Sequence, residues 1–292
     1  MKRSDFPFLG FGVGLRRCHY GQVIEGRPRM DWFEVISENF MVEGGRPIEV
    51  LERVREHYPV VMHGVSLSIG STDPLNRKYL KELAELAERC EPAWISDHLC
   101  WTSIGGHNLH DLIPLPYSEE AVTHTAGRIR QVQEYLGRHI LIENVSSHMA
   151  FRHSTLTEWE FLSAVAEEAD CGILLDINNI FVSAFNHRFE AETYIDAVPA
   201  ERVVQFHLAG HQDHGKYLLD THDNPVREEV WRLYERAVRR FGAVSALIEW
   251  DDNIPDFSEL QAAAVEARRL CQSASGDDDA GAHCGIERVG AG

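Results

Sequence analysis

Short apolar segments rich in β-branched residues recur along the chain, separated by segments with helical periodicity. Most of them are nearly continuous and do not alternate with polar residues, which is typical of parallel strands buried on both faces. Eight strands are predicted in this way, at residues 11–15, 32–37, 60–65, 94–99, 140–145, 172–177, 203–210 and 246–250. Helices are predicted between them at residues 47–58, 76–91, 118–137, 157–169 and 224–242.

Local signals mark where two of these helices begin. Thr157 followed by Glu160 fits a capping box, in which each residue bonds a backbone N–H near the other. Asn224 directly before Pro225 predicts a helix with proline at its first position. Both signals agree with the helical periodicity that follows them.

The alternation of strands and helices predicts an α/β fold, a TIM (β/α)₈ barrel. Eight βα units in about 250 residues is the usual size of such a barrel. An open doubly wound sheet is the competing fold, but the sequence has neither GxGxxG after the first strand nor GxxxxGK[ST] anywhere. We expect one catalytic domain over residues 1–271, followed by a disordered tail over residues 272–292, where the sequence becomes small and polar.

Composition and charge exclude several classes of protein. The chain has 292 residues, with 28 Lys and Arg against 46 Asp and Glu, which gives a net charge of −18. This balance argues against nucleic acid as a partner, because phosphate binding requires clustered basic groups. No apolar run reaches the length of a membrane span, and no export signal is present, so a cytoplasmic protein is expected. The six cysteines show no CxxC spacing, which favours reduced thiols.

The residues that end the last six predicted strands are all capable of binding metal. Active sites of TIM barrels lie at the carboxyl ends of the strands, so these six side chains are expected to meet there. Buried carboxylates and imidazoles must be paired or coordinated, which favours a metal site over a purely structural network. Six ligands exceed the need of one ion and predict a carboxylate that bridges two. The six residues are His63, His98, Glu143, Asp176, His207 and Glu249.

Two predicted loops add further polar groups. Residues 177–187, which we expect to be a loop, carry Asn178, Asn179 and His187. The loop after residue 210 carries Asp220 and His222, which alternate and therefore point the same way in an extended segment. A third ion and a solvated polar loop remain equal alternatives for these residues.

The connection over residues 100–117 is long for a loop of a barrel and is expected to be a lid or a wall of the substrate site. Its histidines, His107 and His110, are expected to contact substrate or solvent and not metal. The imidazole and carboxylate ligands of the predicted site suit iron, manganese or zinc, and the residues alone do not choose among these ions.

The chain resembles the multinuclear non-haem iron-dependent oxidative enzymes, the family that includes the iron oxidase of methanobactin biosynthesis. The resemblance extends over about residues 8–270. It rests on motifs that occur in order: GVGLR, SENFM, HGVSLSIGS, SDHLCW, HDLIPLPY, IENVSS, DINNI, HLAGH, DTHDNPV and IEWD.

This resemblance implies a TIM barrel that holds two or three irons at its mouth. It implies that His63, His98 and Glu143 bind one iron and that Glu143 bridges to a second. Four ligands of this reactive pair are also the expected catalytic residues, namely Glu143, Asp176, His207 and Glu249. The third site, whose occupancy varies in the family, would be formed by Asn179, His187, Asp220 and His222.

The resemblance also implies the reaction and the partners. A mixed-valent Fe(II)/Fe(III) pair would use O₂ as cosubstrate to modify cysteine in a ribosomally synthesised precursor peptide, giving an oxazolone with thioamide, a thiooxazole or a related product. Members usually act with a separate protein that binds the leader of the peptide, and such a partner is expected here. Two other readings stay open: a zinc or manganese hydrolase or isomerase, and a metal-handling protein without catalytic activity.

Overall fold

Eight parallel strands form a closed barrel in the computed structural model, which describes residues 1–276. The barrel strands are β1 (Phe11–Gly14), β2 (Trp32–Ile36), β3 (Val60–Gly64), β4 (Ile95–His98), β7 (Leu141–Glu143), β8 (Gly172–Asp176), β9 (Val203–Leu208) and β12 (Ser245–Ile248). Two antiparallel hairpins lie outside the barrel, β5 (Trp101–Ile104) with β6 (His107–Ile113) and β10 (Gln212–Asp213) with β11 (Leu218–Leu219). The pairing of β1 with β12 closes the barrel and confirms the TIM-barrel prediction.

Helices connect the barrel strands. They are α1 (Tyr20–Gly26), α2 (Arg46–Arg55), α3 (Arg77–Cys90), α4 (Glu119–Leu136), α5 (Glu158–Ala169), α6 (Ile177–His187), α7 (Ala191–Ala197), α8 (Glu228–Phe241) and α9 (Phe257–Ser275). Thr157 caps α5 through a reciprocal bond with Glu160, as the capping box predicted. Within residues 1–276, no helix is both long enough and apolar enough to cross a lipid bilayer.

The period-two alternation of strand side chains places an apolar layer below the polar one. Val61, Leu141, Leu174 and Leu247 belong to one buried cluster, which Met1, Phe6 and Leu9 pack against. Each of these four strand residues is followed two positions later by His63, Glu143, Asp176 or Glu249. Because residues i and i+2 face the same side of a strand, the polar side chains form the next layer toward the carboxyl ends.

The segment after β8 is helical, which corrects the expectation of a loop over residues 177–187. Asp176 is the N-cap of α6, and its Oδ1 accepts a hydrogen bond from the backbone N–H of Asn179 at 2.6 Å. The Asp side chain satisfies one of the free N–H groups at the start of the helix, so α6 begins directly at the end of the strand. The cap was overlooked because Asp176 was assigned only as a metal ligand.

The long connection over residues 100–117 contains the β5–β6 hairpin. Gly105 and Gly106 have φ values of 60° and 76°, the left-handed conformations that a tight turn between two strands requires. The Gly-Gly pair was the sequence signal for this hairpin. The prediction of a wall or lid is compatible with it, since a hairpin is a stiffer wall than an irregular loop.

Helix α8 begins at Glu228, with Arg227 as its N-cap, so the prediction of Pro225 as the first helical residue is wrong. A Cβ at Gly210 would lie 2.1 Å from the carbonyl oxygen of Asn224 and 2.6 Å from that of Pro225. This close packing against the chain after β9 keeps the Asn224–Pro225 segment out of the helix.

Helix α9 extends to Ser275, four residues beyond the predicted end of the barrel domain at residue 271. The remainder of the predicted tail, residues 277–292, lies outside the described residues.

Candidate metal centre

The six strand-end side chains meet in one buried cluster at the mouth of the barrel. The strand register brings them together, because Cα partners of parallel strands point the same way. His98 of β4 is the partner of Glu143 in β7, and Asp176 of β8 is the partner of His207 in β9. Glu249 follows β12 directly.

The first group of possible ligands consists of His63, His98 and Glu143, all buried. The Oε2 atom of Glu143 lies 3.2 Å from Nε2 of His63 and 3.3 Å from Nε2 of His98. The opposite ring nitrogen of each histidine is already engaged. Nδ1 of His63 lies 2.8 Å from Oγ of Ser96, and Nδ1 of His98 lies 3.1 Å from the carbonyl oxygen of Gly64. These contacts direct both Nε2 atoms toward the carboxylate of Glu143.

The second group consists of Glu143, Asp176, His207 and Glu249, again all buried. Nδ1 of His207 lies 2.8 Å from Oε2 of Glu249 and 3.2 Å from Oε1 of Glu143. Oδ2 of Asp176 is 4.0 Å away from the same nitrogen. Glu143 therefore belongs to both groups, with Oε2 in the first and Oε1 near the second. This is the arrangement that a bridging carboxylate requires.

A third group consists of His222, Glu249 and Asp251. Nδ1 of His222 lies 3.2 Å from Oε2 of Glu249 and 3.3 Å from Oδ2 of Asp251, while its Nε2 lies 2.6 Å from Oδ1 of Asp220. Sequence reasoning included His222 and Asp220 but missed Asp251, which lies on the loop after β12. The motif IEWD was its signal, because Asp251 alternates with Glu249.

Seven buried polar atoms of the cluster and of the neighbouring Asn179 make no hydrogen bond of acceptable geometry with any residue that the structure describes, although charged groups lie close to several of them. Buried polar atoms in proteins are nearly always bonded, so a concentration of such atoms indicates a missing partner. Each of the seven can bind a metal ion through a lone pair, and the donor set therefore fits divalent metal. They are His63 Nε2, Glu143 Oε2, Asp176 Oδ2, Asn179 Oδ1, His207 Nδ1, His222 Nε2 and Glu249 Oε2.

The electrostatics of the cluster also favour a cation. Burial raises the pKa of Asp176 well above its ordinary value. Burial alone would lower the pKa of His207, but the carboxylates of Glu249, Glu34 and Glu143 outweigh it and hold that pKa well above the ordinary value. Carboxylates crowded in a buried space require positive charge, which a metal ion supplies.

Asn144 and Asn179 hold Asp176 in place. Nδ2 of Asn144 donates to the carbonyl oxygen of Asp176 at 3.0 Å, and its Oδ1 accepts from the N–H of Asp176 at 2.9 Å. Nδ2 of Asn179 donates to the carbonyl oxygen of Asn144 at 3.1 Å, which leaves Oδ1 of Asn179 directed elsewhere.

His187 is the one candidate ligand that the structure does not bring to the cluster. It ends α6, eight residues after Asn179, which corresponds to about 12 Å along a helix. Its Nε2 lies 2.7 Å from Oγ of Ser147 and 3.1 Å from the carbonyl oxygen of Ser147. The expectation that His187 completes a third site receives no support from this position.

The cluster opens into a cavity of about 440 Å³ whose wall includes residues of the β5–β6 hairpin. Five members of the three groups of possible ligands line it, namely His63, His98, His222, Glu249 and Asp251. His110 and Asp111 of the hairpin line it too, whereas His107 is exposed and is not part of the wall. A substrate in this cavity would contact both the cluster and the hairpin.

The fold and this cluster define a TIM-barrel protein with a buried, carboxylate- and histidine-rich cluster at the mouth of the barrel that could hold metal ions. Residues 10–272 match the family described as "RiPP precursor modification enzyme MbnB/TglH/ChrH", where RiPP denotes a ribosomally synthesised and post-translationally modified peptide. The chain belongs to this enzyme family, which confirms the resemblance found in the sequence.

Several relatives and solved structures are similar to this chain. A UPF0276 protein from Anaeromyxobacter sp. (strain Fw109-5) is 59% identical over 267 residues, covering 90% of this chain and 94% of the relative. A UPF0276 protein from Acaryochloris marina is 51% identical, covering 90% and 95%. Endonuclease IV from Thermus thermophilus superposes with a TM-score of 0.58 at 16% identity, covering 91% of this chain and 99% of that one. D-psicose 3-epimerase superposes with a TM-score of 0.57 at 13% identity, covering 91% of this chain and 99% of that one. At such low identity these two structures share the fold alone.

Proposed function

We propose that this protein is a multinuclear non-haem iron oxidase that uses O₂ to modify cysteine in a ribosomally synthesised precursor peptide. Membership of the family supports the peptide as substrate. The proposal of several metal ions is supported by the overlap of the three groups of possible ligands. The first and second groups share Glu143, and the second and third share Glu249.

The proposed ligands follow from these groups. Glu143 would serve both a first and a second ion, and Glu249 both the second and a third. His63, His98 and Glu143 would hold the first ion, and Glu143, Asp176, His207 and Glu249 would hold the second. The third would be held by His222 with Asn179, Asp220, Glu249 and Asp251.

The residues of the chain prepare the site for a thiol substrate. When bound, iron supplies thiolate binding and one-electron redox chemistry with O₂. The apolar layer around Leu141 and Leu174 closes the floor beneath Glu143 and Asp176, and the cavity gives access to the cluster from the opposite side. The hairpin wall with His110 and Asp111 holds the peptide segment beside the reacting cysteine and limits the entry of water.

Elemental analysis of anaerobically purified protein, paired with a Mössbauer spectrum, tests the proposed metal. We expect two or three irons per chain. Zinc alone, persisting after purification from iron-replete cells, would instead favour a hydrolase or isomerase.

Oxygen uptake separates an oxidase from a protein that only stores or delivers metal. We expect the iron-loaded protein to consume O₂ in the presence of a cysteine-containing precursor peptide encoded near its gene. His207→Ala should abolish this uptake, because it removes a ligand of the second ion. An iron-loaded protein that consumes no O₂ with any such peptide would contradict the oxidase.

We also propose that a separate protein binds the leader of the peptide. Co-expression of the chain with candidate neighbours tests this, since a true partner should raise the affinity for the full precursor and not for the core peptide alone. Equal affinity for both peptides, with and without the neighbour, would contradict it.

A further inference from the structure

Glu34 is a buried carboxylate beside the cluster that neither the motifs nor the groups of possible ligands include. It lies in the middle of β2, two residues after Trp32, so its side chain points into the barrel. Only 2% of the residue is exposed. Its Oε2 lies 3.2 Å from Nε2 of His207, on the side of the ring opposite the carboxylates of Glu143 and Glu249.

A chain of bonds fixes the position of this carboxylate. The indole N–H of Trp94 donates to Oε1 of Gln205 at 2.5 Å. Because an indole nitrogen can only donate, the amide oxygen of Gln205 must be the atom that faces Trp94. The amide nitrogen of Gln205 therefore faces the other way and donates to Oε2 of Glu34 at 2.7 Å.

The position of Gln205 allows two tautomers of His207. Nε2 of Gln205 also lies 2.8 Å from Nε2 of His207, so a ring protonated on Nδ1 would accept from Gln205, and a ring protonated on Nε2 would donate to Glu34. Nδ1 decides between them. It is buried without a hydrogen-bond partner among the described residues, although carboxylate oxygens surround it. Without metal, an Nδ1 among these carboxylate oxygens would carry a proton and donate to them; a metal ion bound by the same carboxylates displaces that proton and takes the lone pair of Nδ1.

We propose that Glu34 is a positioning residue for His207: it accepts a hydrogen bond from the Nε2–H group, leaves Nδ1 available to the metal and strengthens the imidazole as a ligand. Carboxylates that bond the far nitrogen of a metal-binding histidine act in this way in many metal sites. The inference rests on the metal-binding role proposed above for His207.

Metal affinity of the full-length chain tests this role, with Glu38→Gln as the matched control. Glu38 lies four residues after Glu34 and bonds the N–H of Val65 and the hydroxyl of Tyr79. Titration of the metal-free proteins with Co(II), followed by visible absorption, resolves the ions by their stoichiometry. We expect Glu34→Gln to lower the affinity for one ion by about 10- to 100-fold and to leave the affinity for the ion at His63 and His98 unchanged. Glu38→Gln should bind as the wild type does.

A second readout reports the tautomer directly. In protein labelled with ¹⁵N-histidine and loaded with diamagnetic Zn(II), Nε2 of His207 should carry the proton in the wild type. In Glu34→Gln the ¹⁵N signal of this Nε2 should shift, or its proton should exchange with water. A purely structural role of Glu34 would produce neither change. The His207→Ala spectrum assigns the signal.

The outcomes are distinct. A wild type that binds no metal overturns both the proposed function and this inference. A wild type that binds metal, together with equal affinity and an unchanged tautomer in Glu34→Gln, overturns only the role of Glu34. If Glu34→Gln does not fold by circular dichroism, Glu34→Asp decides, because the shorter carboxylate keeps the charge but withdraws from Nε2 and should also weaken one ion.

Discussion

Oε1 of Glu143 lies 3.2 Å from Nδ1 of His207, although 64 residues separate them and both side chains are almost fully buried. The other oxygen of Glu143 faces His63 and His98. One carboxylate thus spans two groups of ligands, and this contact is the centre of the proposed site.

Glu143→Ala should remove two metal ions per chain, because a bridging ligand serves both. The measurement is metal content by elemental analysis after anaerobic loading. Glu120→Ala, on the exposed surface of α4, is the control and should keep the full count. Loss of a single ion in Glu143→Ala would reject the bridge.

His187→Ala should keep every metal ion, whereas His222→Ala should lose one. The ring of His187 bonds Ser147, while that of His222 contacts Asp220, Glu249 and Asp251. Metal content of the two variants, loaded in parallel, checks this. An equal loss from both variants would restore His187 to the third site and contradict its position in the structure.

Asn144→Ala should destabilise the protein by about 2–4 kcal/mol, because it breaks two buried bonds to the backbone of Asp176 and leaves their partners unsatisfied. Urea unfolding of the metal-free protein measures this. Asn39→Ala, at an exposed position, should change the free energy of unfolding by less than about 0.5 kcal/mol. Similar values for the two variants would show that Asn144 does not hold Asp176.

Glu158→Gln should make the protein more stable at pH 8 and leave its stability unchanged near pH 4. Burial raises the pKa of Glu158 from 4.5 to about 7, so the folded state favours the protonated form. The wild type therefore loses stability as pH rises from about 4.5 to 7, by about 3 kcal/mol in total. The amide has no charge and should avoid this loss.

Glu160→Gln, on the same helix, provides the opposite control. Hydrogen bonds from the backbone and side chain of Thr157 lower the pKa of Glu160. Its contribution to stability is thus present above its ordinary pKa and is lost as pH falls, so Glu160→Gln should be less stable than the wild type at pH 8. Urea unfolding at several pH values compares the variants, and a gain in Glu158→Gln that does not depend on pH would contradict the buried charge.

Much of the fold was readable from local sequence. The apolar runs of the eight barrel strands are continuous because both faces of each strand are covered. Such runs can therefore be predicted without knowing which strands pair with which. The strand ends at His98, Glu143 and Asp176 were visible for the same reason. The helix after Asp176 was not predicted, because an Asp at that position fits both a metal ligand and the N-cap of a helix.

Local sequence was enough to predict the barrel, the capping box at Thr157 and the polar residues at or beside the ends of six strands, because these depend on interactions between neighbours along the chain. Which side chains meet depends on the tertiary structure. Strand register places Glu143 between His63 and His207, and the closure of the barrel brings Glu34 from β2 against His207 from β9. The length of α6 carries His187 away from Asn179. Distances across a closed sheet follow from the packing of the whole barrel, and no short stretch of sequence contains them.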